Sequence, residues 1–401
     1  GWTLDAFDFT IFFFILKPIA AEFHVSVTEV AFIATFTLWM RLLGATAAGW
    51  LGDRVGRKWP LMISILWYSI CNFIAGFSPT FLFLLFFRTL LGIGMGAEWP
   101  AGAALAMETW PTRSRGLMSA ILQNSWALGY LISALLYATI YDYVGWRGML
   151  WLGVLPALAV VWIRFYVKEP EVWVENQRQQ KERDAPMKAP LLAIFRRGML
   201  WNTITACLWM ASGFVTYYST FGLFATWLTK DLHMSPAAVG WPLVLTNIAT
   251  FIAAFAWGAL SDKIGRRWAM ILPAAIGLFI SPIYLMSTNY IVIAIGFAVQ
   301  GAFAGSMYSQ IPAYMNERFP TEVRATAAAF CYHQGAIFGG LVPVVVTYFA
   351  VDWGLGFALP MLATASGAII VYCLSLLAYP DTHGQEMTPD LQLVRAAAGG
   401  H

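Results

Sequence analysis

The stretch "GWLGDRVGRKW" at residues 49–59 decides the fold, because a second version of it, "GALSDKIGRRW", stands at residues 258–268. Matching residues are 209 positions apart, and the same offset relates "ETWPTRSR" at 108–115 to "ERFPTEVR" at 317–324. A constant offset between separate stretches indicates an internal duplication. The chain is therefore predicted to consist of two similar halves.

The composition around the repeat is that of a membrane protein. Hydrophobic residues make up 59% of the chain and charged residues 11%, against about 45–50% and about 25% in soluble domains. Charge-free runs such as 268–316 exceed the roughly 20 residues with which a helix crosses a bilayer. Breaks at polar or Pro/Gly turns predict twelve helical spans, at 2–21, 29–51, 59–77, 80–106, 116–141, 147–167, 200–229, 236–260, 267–287, 289–315, 324–350 and 356–379.

These spans predict an all-α integral membrane protein in which twelve transmembrane helices form two pseudo-symmetric six-helix bundles. The predicted domains are a first bundle at 1–167, a cytoplasmic linker at 168–198, a second bundle at 199–380 and a cytoplasmic tail at 381–401. The linker segment "VWVENQRQQKERDAPMK" is typical of an amphipathic helix that lies on the membrane surface and stops at Pro186.

The distribution of charge predicts the orientation. Most of the 24 Lys and Arg residues lie in the linker, in the tail, and in the connections that are on the same side of the predicted spans as the linker and the tail. Positive charge marks cytoplasmic loops, so we expect both termini in the cytoplasm and the protein in the plasma membrane, which in a bacterium is the inner membrane. The net charge of +3 follows from this topology, and no nucleic-acid partner is expected.

Catalytic and metal chemistry find little support in the sequence. The four cysteines all fall within predicted spans and show no metal-ligand spacing, so we expect no disulfide, no metal site and no other cofactor. Nothing resembles a nucleophile–base pair at usable spacing, which argues against an enzyme.

The repeated turns carry acids and bases in both halves, and this pattern predicts a gating latch. Charge-assisted hydrogen bonds of this kind can form in one orientation of the halves and break in the other. In the first half, the turn that contains Asp53 is expected to pair with Glu108 and Arg115. The eight residues of the latch are Asp53, Arg57, Glu108, Arg115, Asp262, Arg266, Glu317 and Arg324.

Arg41 lies near the middle of the second span, where an arginine costs about 2.5–3.5 kcal/mol. It is therefore expected to face protein or water, with Asp8 and Glu98 as its acidic partners. Asp5, one helical turn nearer the cytoplasm than Asp8, is expected at the mouth of a pocket. The proton-coupling residues are predicted to be Asp8, which is favoured, together with Asp5, Glu98 and Arg88.

Apart from Arg267 and Arg324, which stand at the first positions of their spans, the predicted spans of the second half contain no Asp, Glu, Lys or Arg. A fixed cation on one side and neutral hydrogen-bonding groups on the other suit a small anion that is carried with a proton. The planar guanidinium of Arg41 matches a carboxylate, and protonation of Asp8 would release Arg41 to bind it. The predicted substrate-binding residues are Arg41, Asn124, Tyr217, Asn247, His333 and Gln334.

Four features together resemble the major facilitator superfamily over essentially the whole chain. They are the two copies of "GWLGDRVGRK", "RTLLGIGMG" at 88–96, "YPDTHGQE" at 379–386 and the twelve predicted spans. "LDAFDF" at 4–9, the mid-span Arg41 and "YHQG" at 332–335 further resemble the branch of carboxylate and sialate proton symporters. The resemblance implies a monomer with a pocket between the halves, alternating access and proton-driven import of an organic acid.

Sialic acid permeases of the branch that the chain resembles can carry extra helices between the two halves, whereas the linker of this chain is short. Within this branch the comparison favours a small monocarboxylate such as lactate or pyruvate. The alternatives are a sialic acid or aromatic acid symporter and, less favoured, a sugar-like symporter, an exporter or a sensor that binds substrate without transport. In each transport hypothesis the partners are the small organic solute and the lipid bilayer, and in the symporters the coupling ion is the proton.

Overall fold

The computed structural model describes residues 1–183 and 190–393. In the first bundle, span 1 is broken at Ile15 and spans 2 to 4 are single helices. Their bounds are Trp2–Phe14 with Leu16–Phe23, Val27–Val55, Lys58–Ala75 and Phe81–Thr109. Spans 5 and 6 share the helix Arg115–Trp151, which is broken at Gly145 by a backbone with φ 63°, a conformation that favours glycine. Span 6 continues through a 3-10 turn at Leu152–Val154 into Ala157–Tyr166.

The second bundle repeats this order. Span 7 comprises Arg197–Tyr217, a π-helical turn at Tyr218–Gly222 and Phe224–Lys230. Spans 8 and 9 are Pro236–Ile264 and Arg266–Leu285. Span 10 comprises Tyr290–Phe303, a 3-10 turn at Ala304–Gln310 and Ile311–Glu317. Span 11 is Arg324–Thr347 with a π-helical turn at Tyr348–Asp352, and span 12 is Ala358–Leu377.

By length and hydropathy alone, eight segments of the described chain are long and apolar enough to cross a membrane. One of them, Thr112–Tyr166, is 55 residues long and contains both span 5 and span 6. Spans 1, 3 and 7 are not among these segments. Span 1 consists of helices of 13 and 8 residues, whereas the helices of spans 3 and 7 have 18 and 21 residues and are excluded by their lower hydropathy. These three spans and the joined pair account for the difference between eight segments and twelve spans.

Glycines allow span 4 to pack closely on span 2. A methyl group at Gly92 would lie 2.3 Å from the carbonyl oxygen of Thr37, and one at Gly96 would lie 2.0 Å from that of Arg41. In the second bundle, Gly301 and Gly305 in span 10 meet Thr246 and Thr250 in span 8 in the same way. The residues that make these contacts in the second bundle stand 209 positions after those that make them in the first bundle. The duplication seen in the sequence is therefore also present in the helix packing, through the close approach that small residues permit.

The linker and the tail lie at one end of the molecule, which we call the linker side, and the opposite end is the far side. The linker contains the helices Glu171–Glu182 and Pro190–Ala193, while Pro186 and residues 394–401 lie outside the described residues. Asn176 in the first linker helix donates a hydrogen bond of 2.8 Å to the carbonyl of Pro389 in the tail. The linker and the tail therefore contact each other across this end of the molecule.

The two bundles join on the linker side. Their hydrogen bonds extend from the linker-side turns up to Asn124, which donates a bond of 3.3 Å to the carbonyl of Phe251. Tyr130 in span 5 and Tyr217 in span 7, which are close enough to interact electrostatically, are 52% and 43% exposed. The structure is therefore closed on the linker side.

Candidate substrate and proton site

Arg41 is the midpoint of the 29-residue helix of span 2 and is only 4% exposed. Its Nη2 atom lies 2.6 Å from Oδ1 of Asp5 in span 1, which is fully buried. The same Nη2 contacts the sulfur of Met95 at 3.4 Å, and the guanidinium lies over the rings of Phe9 and Trp126 at 5.1 and 5.8 Å. The arginine is thus held in a charged and aromatic environment at the midpoint of span 2.

Two expectations about this cluster are wrong. Asp5 does not lie at a pocket mouth but is the ion-pair partner of Arg41, and within the described chain neither Asp8 nor Glu98 forms an ion pair with Arg41. Residues three apart on a helix lie about 60° apart around its axis, so the rotation of span 1 presents Asp5 to span 2 and turns Asp8 toward span 3. Glu98 is 2% exposed and lies near enough to Arg41 for an electrostatic interaction only.

Asp8 and Arg88 are linked through an amide. Asn72 in span 3 donates a hydrogen bond of 3.2 Å from Nδ2 to Oδ1 of Asp8, and it accepts one of 3.0 Å at Oδ1 from Nη1 of Arg88. All three side chains have no exposed surface. Arg88 also lies over the ring of Phe12, with 4.1 Å from its Cζ atom to the ring centre. The structure therefore brings two of the predicted proton-coupling residues together without direct contact.

An aromatic cluster beside Arg41 includes residues of both bundles. Trp2 packs on Trp126 with ring centres 4.7 Å apart, and Trp99 stacks on Tyr332 of span 11 at 3.9 Å. Trp2 also meets Tyr332 edge-on at 6.4 Å, so Trp2, Trp99, Trp126 and Tyr332 form one group. Such rings supply a flat apolar surface with defined stacking geometry.

The other predicted substrate-binding residues do not all converge on Arg41. His333 is 1% exposed, with Nδ1 3.1 Å from the carbonyl of Ala329, and its ring meets Trp99 edge-on. Gln334 donates to the carbonyls of Cys207 and Cys331 and so is bound within the second bundle. Tyr217 and Asn247 are exposed, and Asn247 donates to the carbonyl of Leu243 in its own helix.

The first set of latch contacts is centred on Glu108. Its carboxylate pairs with Arg57 of the same bundle at 2.8 Å and with Arg324 of the other bundle at 2.6 Å. Arg57 also pairs with Asp53 at 2.7 Å. Burial alone would lower the pKa of Arg57, but the carboxylates of Glu108 and Asp53 raise it above its ordinary value. The guanidinium therefore stays charged inside the interface.

The second set follows from the first by the pseudo-symmetry. Glu317 pairs with Arg266 of its own bundle at 3.4 Å and with Arg115 of the other bundle at 3.1 Å. Arg266 pairs with Asp262 at 2.6 Å. All eight latch residues therefore belong to contacts at the linker-side interface.

The two aspartates bind helix N-termini across the interface. Asp53 accepts hydrogen bonds from the backbone N–H groups of Ala325 and Thr326 at 3.1 and 2.9 Å, at the start of span 11. Asp262 accepts from those of Gly116 and Leu117 at 2.9 and 3.1 Å, at the start of span 5. A carboxylate is stabilised there by unpaired N–H groups and the helix dipole. The turn that contains Asp53 and Arg57 pairs with Glu108 through Arg57, as expected, but it does not pair with Arg115, which binds Glu317 of the other bundle.

Comparison with known proteins extends this geometry. The family model of the Major Facilitator Superfamily matches residues 3–226 and again residues 210–398. The chain belongs to the Major Facilitator Superfamily. The two matches correspond to the two halves, and the prediction of an all-α membrane protein with twelve spans in two similar bundles is confirmed.

Relatives of this superfamily member are transporters. The chain is 33% identical over 395 residues to a probable 4-methylmuconolactone transporter of Cupriavidus pinatubonensis, covering 96% of this chain and 89% of the relative. It is 26% identical to the sialic acid transporter NanX of Escherichia coli, covering 92% and 90%. The proton:xylose symporter XylE has the same fold, with a TM-score of 0.75 at 18% identity over 98% of this chain and 96% of XylE. The protein is therefore a secondary transporter of a small organic solute and not an enzyme.

Several residues of this superfamily member's central site were missed by sequence reasoning. Asn72 is a neutral residue in an apolar span, and such a residue gives no signal of its role. Trp2 and Phe9 were indistinguishable from other lipid-facing or core aromatic residues. Tyr332 belongs to the "YHQG" stretch, in which the titratable His333 is the more obvious candidate. A search for polar or aromatic residues one helical turn from buried charges would have found the tyrosine.

Proposed function

We propose that the protein is a proton-coupled symporter that imports an organic carboxylate by alternating access. The observation that carries this proposal is the buried ion pair of Arg41 and Asp5 at the midpoint of the membrane. A buried ion pair contributes little to stability compared with apolar packing, so a functional reason for its presence is favoured. A substrate carboxylate can replace the carboxylate of Asp5 on the guanidinium of Arg41.

The charge balance of the first bundle supports proton coupling. Among the side chains that the structure describes, the buried carboxylates of Asp5, Asp8 and Glu98 lie in the same region as two arginines, Arg41 and Arg88. If all five groups were ionised, the cluster would carry one excess negative charge, which is costly in a buried site. One bound proton removes that charge.

Two carboxylate oxygens without hydrogen-bond partners support a route for this proton. Within the described residues, Oδ2 of Asp5 and Oδ2 of Asp8 have no hydrogen-bond partner. Asp5 and Asp8 are three residues apart on one helix and so are neighbours on its surface. We infer that a proton enters at Asp8 and passes to Asp5, which then releases Arg41 to the substrate. Asp8 remains the favoured proton carrier, while Asp5 is the group that competes with the substrate.

The aromatic environment favours a planar, unsaturated or aromatic carboxylate over lactate or pyruvate. Trp126 and Phe9 lie beside the guanidinium of Arg41, and Tyr332 joins the same cluster from the second bundle. A flat π-system can stack on such rings, whereas lactate offers them one methyl group. A relative described as a probable 4-methylmuconolactone transporter supports this choice, because 4-methylmuconolactone is an unsaturated ring compound that carries a carboxylate. Sialic acid is the second candidate, because another relative transports that carboxylate.

The orientation we propose places the linker side in the cytoplasm and the protein in a bacterial inner membrane. The excess of Lys and Arg on the linker side supports this assignment. A closed linker side then corresponds to the state that receives substrate from outside.

The test is uptake into proteoliposomes under an inward proton gradient. Labelled 4-methylmuconolactone, benzoate, sialic acid and L-lactate are compared, each with and without an uncoupler. We expect uncoupler-sensitive accumulation of 4-methylmuconolactone or benzoate. Accumulation of lactate or sialic acid alone would retain proton coupling and overturn the aromatic assignment. Uptake that the uncoupler does not change would contradict a proton symporter.

A further inference from the structure

The contact between Asp8 and Arg88 is indirect, and one amide group separates them. Asn72 donates to Asp8 with its Nδ2 atom at 3.2 Å and accepts from Arg88 with its Oδ1 atom at 3.0 Å. Within the described chain Asp8 and Arg88 do not come within ion-pair distance of each other, although both are fully buried. Nε and Nη2 of Arg88 and Oδ2 of Asp8 also have no hydrogen-bond partner there. A direct pair would satisfy more of these atoms, so the amide keeps apart two groups that attract each other.

Span 6 makes room for this amide. A methyl group at Gly153, in the 3-10 turn of span 6, would lie 2.1 Å from Nδ2 of Asn72 and 2.9 Å from Oδ1 of Asp8. Real contacts of a methyl carbon are longer than about 3 Å, so any larger residue at this position would displace the amide. The position of Asn72 therefore also depends on span 6, which packs against its amide.

We propose that Asn72, seated against Gly153, is a positioning residue that spaces Asp8 from Arg88 so that Asp8 can gain and lose its proton during transport. This proposal rests on Asp8 being the proton carrier. A carboxylate in direct contact with a buried arginine is stabilised in its ionised form, so direct contact with Arg88 would make Asp8 harder to protonate. An amide supplies one hydrogen bond to the carboxylate while it holds the full charge of the arginine away.

The groups that face Asp8 come from each neighbouring span. Asp5 lies on its own helix, Asn72 and Tyr68 lie on span 3, and Arg88 lies on span 4. Span 6 contributes the backbone of Gly153. Arg41 and Glu98 act on this group from a greater distance through Asp5 and Tyr68. Removal of the amide therefore removes two hydrogen bonds, one to Asp8 and one from Arg88, and changes one charge separation, while the other charged groups stay in place.

The pseudo-symmetry supports a role in coupling and not in folding. At the 209-residue offset, the second bundle has Tyr217, Ser281 and Phe297 in place of Asp8, Asn72 and Arg88. The same helix packing therefore forms without this group of three. The amide accompanies the charged pair, and the second bundle has neither.

The experiment is an infrared titration of the purified full-length protein in liposomes without substrate. The carbonyl band of the protonated Asp8 carboxyl is identified by its loss in Asp8→Asn, and its half-titration pH is then compared between variants. Asn72→Ala opens space for Arg88 to reach Asp8, so the half-titration pH should fall by about one unit or more. Gly153→Ala pushes the amide off Asp8 while a side chain still separates the charges, so the half-titration pH should rise by about one unit.

A fall in the half-titration pH of Asp8 in Asn72→Ala, together with a rise in Gly153→Ala, indicates that Asn72 acts as a spacer. If both variants leave the half-titration pH unchanged, or shift it in the same direction, the proposal is wrong. Asn72→Leu, which removes the donor but fills the space, replaces Gly153→Ala if that variant does not fold, and the same rise is expected.

Ser69→Ala provides the matched control. Ser69 is fully buried on the same helix, and its hydroxyl has no hydrogen-bond partner within the described chain, so it is bonded to neither Asp8 nor Arg88. Its removal should leave the titration unchanged, and a shift as large as that of Asn72→Ala would overturn the specific role of the amide. Uphill uptake by Asp8→Asn is measured separately. Retained uptake there would remove Asp8 as the proton carrier, whereas the spacing of Asp8 and Arg88 is tested by the infrared shifts alone.

Discussion

Arg41 has one guanidinium for which two carboxylates can compete, that of Asp5 and that of the substrate. The Asp5 carboxylate lies 2.6 Å from Nη2, while Nε of Arg41 has no hydrogen-bond partner in the described chain. A planar guanidinium can bind a carboxylate through two parallel hydrogen bonds. Arg41 therefore has unused donor capacity for an incoming anion even while Asp5 is bound.

The first prediction removes this anchor without leaving an unpaired charge. Arg41→Ala alone should destabilise the protein by about 3–5 kcal/mol, because it leaves Asp5 buried without its partner. The double variant Asp5→Asn/Arg41→Gln should recover most of that stability and still fail to bind the carboxylate. Thermal unfolding and ligand binding in detergent check both parts. Normal carboxylate affinity in the double variant would contradict the role of Arg41 as anchor.

The second prediction concerns Asp8. Asp8→Asn keeps the size and hydrogen-bonding capacity of the side chain but removes its proton exchange. We expect exchange of labelled for unlabelled substrate to persist in proteoliposomes, while accumulation driven by a proton gradient is lost. Glu98→Gln serves as the comparison, because Glu98 is buried in the same region but has no ion-pair contact with Arg41 or Arg88 in the described chain. Continued uphill uptake by Asp8→Asn would transfer the carrier role to another carboxyl.

At the scale of helices, the central charges are positioned by close packing of backbones. Span 4 approaches span 2 so closely that Gly96 touches the carbonyl of Arg41 itself. The depth and rotation of Arg41 therefore depend on a residue with no side chain. Thr250, the equivalent of Arg41 in the second bundle, is held by Gly305 at the same level.

The third prediction tests this packing with a matched pair of glycines on span 4. In Gly96→Ala the new methyl would lie 2.0 Å from a backbone oxygen, which a side-chain movement cannot relieve. Overpacking of this kind costs about 1–3 kcal/mol, and we expect a lower unfolding temperature together with weaker substrate binding. In Gly102→Ala the nearest atom is 3.4 Å away, at the Glu98 carboxylate, and little change is expected. Equal effects of the two variants would argue against a specific contact at Gly96.

The sequence predicted the depth of residues along the spans better than the rotation of the helices about their axes. The repeat, the twelve spans and the mid-membrane position of Arg41 followed from periodicity and from the cost of a buried charge. The choice between Asp5 and Asp8 did not, because the two residues lie three apart on one helix and the rotation of that helix depends on packing. The partners of Asp53 and Arg115 also lie across the interface, and only the folded arrangement of the bundles brings them together. Asn72 could not be found at all, because its role comes from the two charges that it separates.

At the scale of the molecule, the latch is a set of contacts that exists only when the bundles meet on the linker side. Glu108 and Glu317 each bind an arginine of their own bundle and one of the other. Asp53 and Asp262 each bind the N-terminus of a helix in the other bundle. When the bundles part on this side, all of these cross-interface contacts must break together. They therefore bias the equilibrium toward the closed linker side.

The fourth prediction measures that bias. The double variant Glu108→Gln/Glu317→Gln keeps the shape of the interface but leaves its arginines without balancing charge, at a cost of about 3–5 kcal/mol in the closed state. Because about 1.4 kcal/mol corresponds to a tenfold change in an equilibrium constant, the open linker-side state should rise more than 100-fold relative to the closed one. Spin labels at Arg113 and Lys263, which are exposed on the linker sides of the two bundles, report this opening as a longer distance in pulsed electron resonance. The control is Glu175→Gln, which removes an exposed carboxylate of the linker helix, 3.4 Å from Arg178. Exposed ion pairs of this kind contribute little to stability, so the distance distribution of the control should match that of the parent protein. If Glu108→Gln/Glu317→Gln also gives the distribution of the parent protein, the latch does not hold the closed state.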